Sequence, residues 1–152
     1  MKTKTYYHGT KENNLKEIIQ ARKLIQGNKN YSQSEDGYVY LFDEEYFGWA
    51  IAYAHDCGQK SYNFIKIQIY EDSDLDQKMI LDKKEIKTFL GKYNMKQYLY
   101  KGDIEFSNES INSVEYIILK DNNDYELFSE LVGEGKYKEA QVFINKLKWI
   151  II

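Results

Sequence analysis

The sequence predicts an α+β domain with a mixed or antiparallel β core and flanking helices. Three observations carry this. Apolar residues alternate with period two in "NFIKIQIY" (63–70), the mark of a half-buried strand. Helical spacing follows N-terminal capping signals elsewhere, as at Leu15, Ile18 and Ile19 after Asn14. The last two strand-like segments, "QYLY" and "SVEYIIL", follow one another without a helix between them, which disfavours a doubly wound parallel sheet.

Taken in order, Lys4 to Tyr7 reads as a first strand. The capping-box spacing Asn14-Leu15-Lys16-Glu17 opens a helix, and Gly27 closes that unit. A polar loop leads into "YVYLF", where Tyr38, Tyr40 and Phe42 share one strand face. Asp43-Glu44-Glu45 sets negative charge at a helix N-terminus. That helix runs to about His55, with Trp49, Ala50, Tyr53 and Ala54 facing inward. Next comes the strand carrying Ile65, Ile67 and Ile69. Asp82-Lys83-Lys84-Glu85 is a second capping box, and Ile86, Phe89 and Leu90 follow it at helical spacing. Two strands follow, then two helices broken at Gly133 to Gly135. The predicted order is β-α-β-α-β-α-β-β-α-α.

The 152 residues form one domain, 1–152, in which about 122–152 is a C-terminal helical extension. Its second helix places Tyr137, Ala140, Ile144 and Leu147 on one face, and the apolar "KWIII" packs on the body or marks an interface. Tyr occurs 15 times, a ring content that argues against disorder. A net charge of −3 advertises neither a nucleic acid nor an anionic membrane, although a local basic patch could still hold a nucleic acid. The one cysteine, Cys57, excludes an internal disulfide, fits a reducing compartment and reads as a small packing residue. No apolar run has signal-peptide or transmembrane character, so the expected location is cytoplasmic. Two distant histidines give no zinc spacing, so no metal is expected, and no glycine-rich phosphate loop is present.

Within "TYYHGT" (5–10), a histidine, a glycine and a threonine stand in a row just before a helix. Alone, His8 fits a hydrogen-bonded residue at a strand end and Gly9 a tight turn. Their order is more informative. Strand-His-Gly-Thr, a capped helix, a Gly, a polar loop, the "YVYLF" strand and the Ala-rich "WAIAYAH" helix follow one another.

This order resembles the ADP-ribosyltransferase superfamily, whose members cleave NAD. The resemblance covers residues 4–54, continues through Met79 to Asp82, and resumes at "QYLYKGDIEFSNESINSVEYIIL" (97–119). The stretch from about 122 has no counterpart in it. It implies an ADP-ribosyltransferase-like core, NAD as substrate, no metal, and a protein or nucleic-acid acceptor. His8 would hold a ribose hydroxyl with help from Thr10, and Gly9 the nicotinamide carboxamide. Tyr40 would stack on the nicotinamide ring, with Tyr31 as the other wall. These residue types suit NAD cleavage. A glycine lets backbone groups approach a ligand, a ring nitrogen bonds a hydroxyl, and an aromatic face stacks.

At the late strand the family carries a glutamate where this chain has Gln97. Glu105 and Asp103 are the nearest carboxylates that could replace it. Three functions follow as expectations. The first is a mono-ADP-ribosyltransferase, of the kind found among toxins and phage effectors. The second is an inactive module that keeps the fold and binds a partner protein through its C-terminal helices. The third is an RNA 2′-phosphotransferase, which relies on several arginines where this chain has only Arg22.

Overall fold

The computed structural model describes residues 1–27, 37–89 and 91–152. The strand β5 (Ser61–Tyr70) is the spine of the larger sheet. On one side it pairs with β1 (Thr3–Gly9), from Thr3↔Tyr70 to Gly9↔Phe64. On the other it pairs with β9 (Ile111–Leu119), which in turn pairs with β10 (Ile150–Ile151). The short β4 (His55–Asp56) also joins β5. A second sheet has the order β3 (Tyr38–Leu41), β7 (Gly91–Lys101), β6 (Ile80–Thr88). A ribbon of β2 (Lys23–Leu24) and β8 (Ile104–Glu105) completes the described strands. Every described pairing is antiparallel.

Both faces of β5 are covered. Ile65, Ile67 and Ile69 are fully buried with Tyr6, Val39, Leu41, and Leu15 and Ile18 of helix α1 (Glu12–Ala21). The opposite face carries Tyr62 and Phe64 beneath three helices: α2 (Phe47–Ala54), α4 (Asn122–Gly133) and α5 (Tyr137–Asn145). A helical turn α3 (Asp74–Lys78) buries Leu75 among the isoleucines. Aromatic rings build the helical side: Phe47 stacks on Phe64 at 5.1 Å, and Phe128 on Tyr62 at 4.7 Å. Each such pair contributes about 0.5–1.5 kcal/mol beyond its buried area.

The predicted first strand is two residues longer than its expected end at Tyr7 and carries both His8 and Gly9. The acidic run Asp43 to Glu45 lies ahead of the helix and not in its first turn: α2 begins at Phe47 after the N-cap Tyr46, whose N–H donates to Asp43 at 3.1 Å. Within α2 the fully covered residues are Phe47, Ala50, Ile51 and Ala54, while Trp49 and Tyr53 lie half-buried.

Further expectations are corrected. Helix α1 begins at Glu12 after the N-cap Lys11, which makes no side-chain cap bond, so Asn14 lies inside the helix and does not cap it. Residues 82–88 are strand, not helix: Asp82 pairs with Gln97, Lys84 with Met95 and Ile86 with Tyr93. A complete ladder to β7, closed by a hairpin from Thr88 to Gly91, outweighs a capping box standing alone. The second C-terminal helix ends at Asn145, and the apolar tail divides in role. Trp149 is buried, its Nε1–H donating to the Ile144 carbonyl at 3.0 Å, with the Lys66 ammonium 4.1 Å from its ring centre. Ile150 and Ile151 leave the helical path and add an edge strand to β9, where Ile151 is 80% exposed.

Candidate functional site

The two sheets meet at one residue pair and then part. Tyr7 N–H donates to Phe42 O at 2.7 Å, and Phe42 N–H to Tyr7 O at 2.9 Å. Continuing that antiparallel register would pair Gly9 with Tyr40. It does not continue. The Tyr40 carbonyl oxygen lies instead 2.9 Å from His8 Nδ1. A carbonyl only accepts, so Nδ1 carries the proton and Nε2 of the neutral ring keeps a lone pair.

This substitution takes from the Gly9 backbone the partner that a continued register would give it. Residues alternate in the edge to which they direct N–H and C=O. Thr10 N–H points at Asn63 O of β5, at 3.2 Å, and Tyr7 points the opposite way, at Phe42. Gly9 therefore directs both groups to the Tyr7 edge, where β3 has turned its carbonyl to the His8 ring. The lack of a side chain at Gly9 has a separate cause. A Cβ there would overlap the Ala50 carbonyl oxygen and stand 2.8 Å from Ala54 N. Helix α2 is thus seated directly on the end of β1.

A cleft of about 550 Å³ opens at this parting. Small-molecule sites span about 300–1,000 Å³. His8, Gly9, Thr10 and Tyr40 all line it, with Tyr38, Phe42 and Tyr53 as further aromatic walls. Lys11, Asn14 and Glu17 on the first turns of α1 face it, as do Gln26 and Gly27. Burial pushes the His8 imidazole below its ordinary value, against the pull of the Tyr40 carbonyl. That shift favours the neutral ring, the state its acceptor nitrogen requires.

The other expected site residues are distributed differently. Tyr31 lies outside the described residues. Asp103 does not line the cleft: it accepts from Gln26 N–H at 2.7 Å and pairs with Lys23 at 3.1 Å. The Gln26 N–H, followed by Lys23, holds its carboxyl below the usual range. Glu105 sits opposite Lys23 in the same ribbon, exposed and away from the cleft lining. Both carboxylates belong with the β2–β8 ribbon, and their nearness to Gln97 in sequence does not carry over to the fold. Glu17 is the one carboxylate among the described lining residues, and its position on the solvent face of α1 gave no sequence signal.

Gln97 is 2% exposed and does not line the cleft. Tyr40 stands directly opposite Leu99, so Leu99, Gln97 and Tyr40 share a sheet face. Gln97 Nε2 donates to Asp82 Oδ2 at 3.0 Å, whereas its Oε1 is buried without a partner among the described residues. Leaving such a group unpaired costs about 1–3 kcal/mol.

A second polar cluster lies at the Ser61–Tyr62 start of β5, next to the stretch that pairs with His8 and Gly9. Cys57 is exposed, not packed, with Sγ 3.6 Å from His55 Nδ1. His55 stacks on Tyr62 and its Nε2 meets the Tyr125 hydroxyl at 2.9 Å. Nearby, the buried Glu12 carboxylate takes Lys16 and Lys120, each at 3.2 Å.

No protein-family model matches the chain, and no curated protein or solved structure matches it.

Proposed function

We propose that this chain is an NAD-dependent mono-ADP-ribosyltransferase, cleaving NAD and passing its ADP-ribose to a protein or nucleic-acid acceptor. One observation carries the reading. His8 takes the Tyr40 carbonyl that Gly9 would otherwise have paired with, so a backbone N–H and C=O, an acceptor nitrogen and an aromatic ring converge on one cleft.

The chemistry these groups support is specific. A primary carboxamide offers an N–H donor and a carbonyl acceptor, the complement of the Gly9 backbone pair. The Tyr40 ring can stack on the nicotinamide attached to it. His8 Nε2 can accept from a ribose hydroxyl, with the Thr10 hydroxyl beside it. The bond between ribose C1′ and the nicotinamide nitrogen breaks, and its electron pair leaves with neutral nicotinamide. The acceptor nucleophile then bonds C1′ and gives up its proton. Groups aimed at the developing positive charge on the ribose are the ones that accelerate this step.

A second reading has its own support. An amide at Gln97 lacks the charge of the family's glutamate, which favours a binding module without turnover. The phosphotransferase reading lacks its arginines, since Arg22 is outside the cleft lining. Nicotinamide release, followed with NAD binding by calorimetry, tests the proposal. Release that His8→Ala abolishes supports the transferase. Binding without release supports the module, and neither binding nor release removes both.

A further inference from the structure

The β6–β7 hairpin, 80–101, carries a charge opposite to that of the rest of the chain. It holds six lysines and two carboxylates, a net +4, so a chain of net −3 carries −7 elsewhere. The lysines are also set against one another. Lys83 stands directly opposite Lys96, and Lys87 directly opposite Lys92. Like charges opposed across a ladder are destabilising, so this pattern weakens the hairpin that bears it. All four alternate onto one sheet face, away from Met95 and Gln97, which the other face buries. Asp43 takes Lys96 at 3.1 Å and Glu85 takes Lys92 at 3.6 Å, whereas Lys83 and Lys87 have no ion pair among the described residues.

Two further features share this hairpin. Phe89, at the turn between Thr88 and Gly91, is 97% exposed, and residues 91–94 are exposed on both strand faces, so the tip stands clear of the body. Midway along the hairpin is a concavity of about 530 Å³, lined by Lys83, Lys84 and Lys96 together with Tyr46 and the carboxylates Glu45 and Glu85. Ammonium groups track phosphates, and exposed rings stack on unpaired bases. A bilayer would meet the Phe89 tip but could not follow lysines into a concavity. A duplex keeps its bases stacked on each other and offers the ring no face.

We propose that this face of the hairpin binds single-stranded nucleic acid, with Lys83, Lys87 and Lys92 on phosphates and Phe89 against a base. Strand β7 runs on from the hairpin to Leu99, directly opposite Tyr40 of the cleft wall. A strand held on the hairpin therefore lies on the same sheet as the cleft, and it is the acceptor class of the enzyme. That last step rests on the transferase reading above; the binding does not.

Fluorescence anisotropy with labelled single strands of about 12 nucleotides, RNA and DNA, tests the binding against a duplex and phosphatidylserine vesicles. Tight, salt-dependent binding of either strand is expected. Lys83→Gln/Lys87→Gln should weaken it about 10-fold or more and flatten the salt slope by about 1.4, two phosphate contacts on a single strand. Phe89→Ala should weaken it about 5-fold or more with the slope unchanged. Both variants should unfold at midpoints no lower than wild type, since the replaced groups are exposed or opposed by like charge. Wild type that binds neither strand overturns the inference. So does an affinity unchanged in the double variant, or tighter binding to duplex or vesicles. Nicotinamide release without ADP-ribose on a bound strand overturns the acceptor step alone. Strand binding without NAD binding or cleavage removes the transferase reading and leaves the site standing.

Discussion

The His8 imidazole occupies, on the Tyr40 carbonyl, the position that the Gly9 amide would hold in an unbroken sheet. A side chain has replaced one rung of a backbone ladder. The rung's loss opens the sheet, and the glycine's two polar groups are what the opening exposes. Removing the ring should therefore do more than delete a ligand contact. In His8→Ala the Tyr40 carbonyl loses its donor, and nicotinamide release should fall by at least about 10²-fold, the scale of a lost transition-state contact.

His8 also makes a pH prediction. Burial lowers its folded value below the ordinary 6.5, so the unfolded chain binds the proton more readily. Its contribution to stability is complete above about pH 6.5 and is lost as pH falls through the lowered folded value. His55, also lowered, first by burial and then by Lys11, acts in the same direction. Urea midpoints at pH 7.5 and 5.5 should thus fall less in His8→Gln than in wild type. Equal falls would show that the ring is as easily protonated when folded.

Gly9→Ala should destabilise by about 1–3 kcal/mol, the range for overpacking. The obstructing atoms are the Ala50 carbonyl oxygen and the Ala54 nitrogen, both helix backbone, so no side chain can turn aside. A lowered thermal midpoint checks this, and an unchanged one would mean that α2 is free to retreat.

The C-terminal tail should separate into two responses. Trp149→Ala removes a buried ring, its bond to Ile144 and its contact with Lys66, at about 3–5 kcal/mol. Ile151→Lys, on the exposed edge, should stay within about 0.5 kcal/mol. Denaturant unfolding of both variants distinguishes core closure from an edge without structural weight.

Lys120→Met should destabilise by about 1 kcal/mol. Breaking an isolated buried pair costs about 3–5 kcal/mol, but Lys16 remains on the same Glu12 oxygen and both lysines are half in water. Burial pushes the Glu12 carboxyl up, and the bonds and charges of Lys120 and Lys16 outweigh it, leaving it below the ordinary value. That stabilisation is present above about pH 4.3 and is lost as pH falls through the lowered value. Acid unfolding should begin at higher pH in the variant.

Legibility in the sequence followed how far one pattern excluded the others. Ile65, Ile67 and Ile69 declare their strand because burial alternates along it, whereas the acidic run Asp43 to Glu45 falls just short of the helix that begins at Phe47. Residues 82–90 carry a capping box and helical spacing, yet for 82–88 the hairpin with β7, closed from Thr88 to Gly91, decides for strand. That ambiguity hides the neighbour of Gln97. Read as helix, the segment cannot set Asp82 across from Gln97, and Asp103 and Glu105 stand nearer along the chain. His8, Gly9 and Tyr40 are legible as a set through their order. The rung exchange among them is not, since it depends on where two sheets part.

The pairing of β5 also bears on how the chain reaches this state. Its partners are remote on both sides: Thr3 joins Tyr70, and Tyr62 joins Leu119. Apart from the two-residue β4, which reaches β5 through the turn at 57–60, these pairings are products of long loop closures. Folding dominated by such contacts runs on a scale of about milliseconds to seconds. The sequence contains no proline, so no prolyl isomerisation of about 10–100 s is superimposed on it. Refolding should be slow for a chain of this length yet free of a prolyl phase, paced by the moment when β1 and β9 first hold β5 between them.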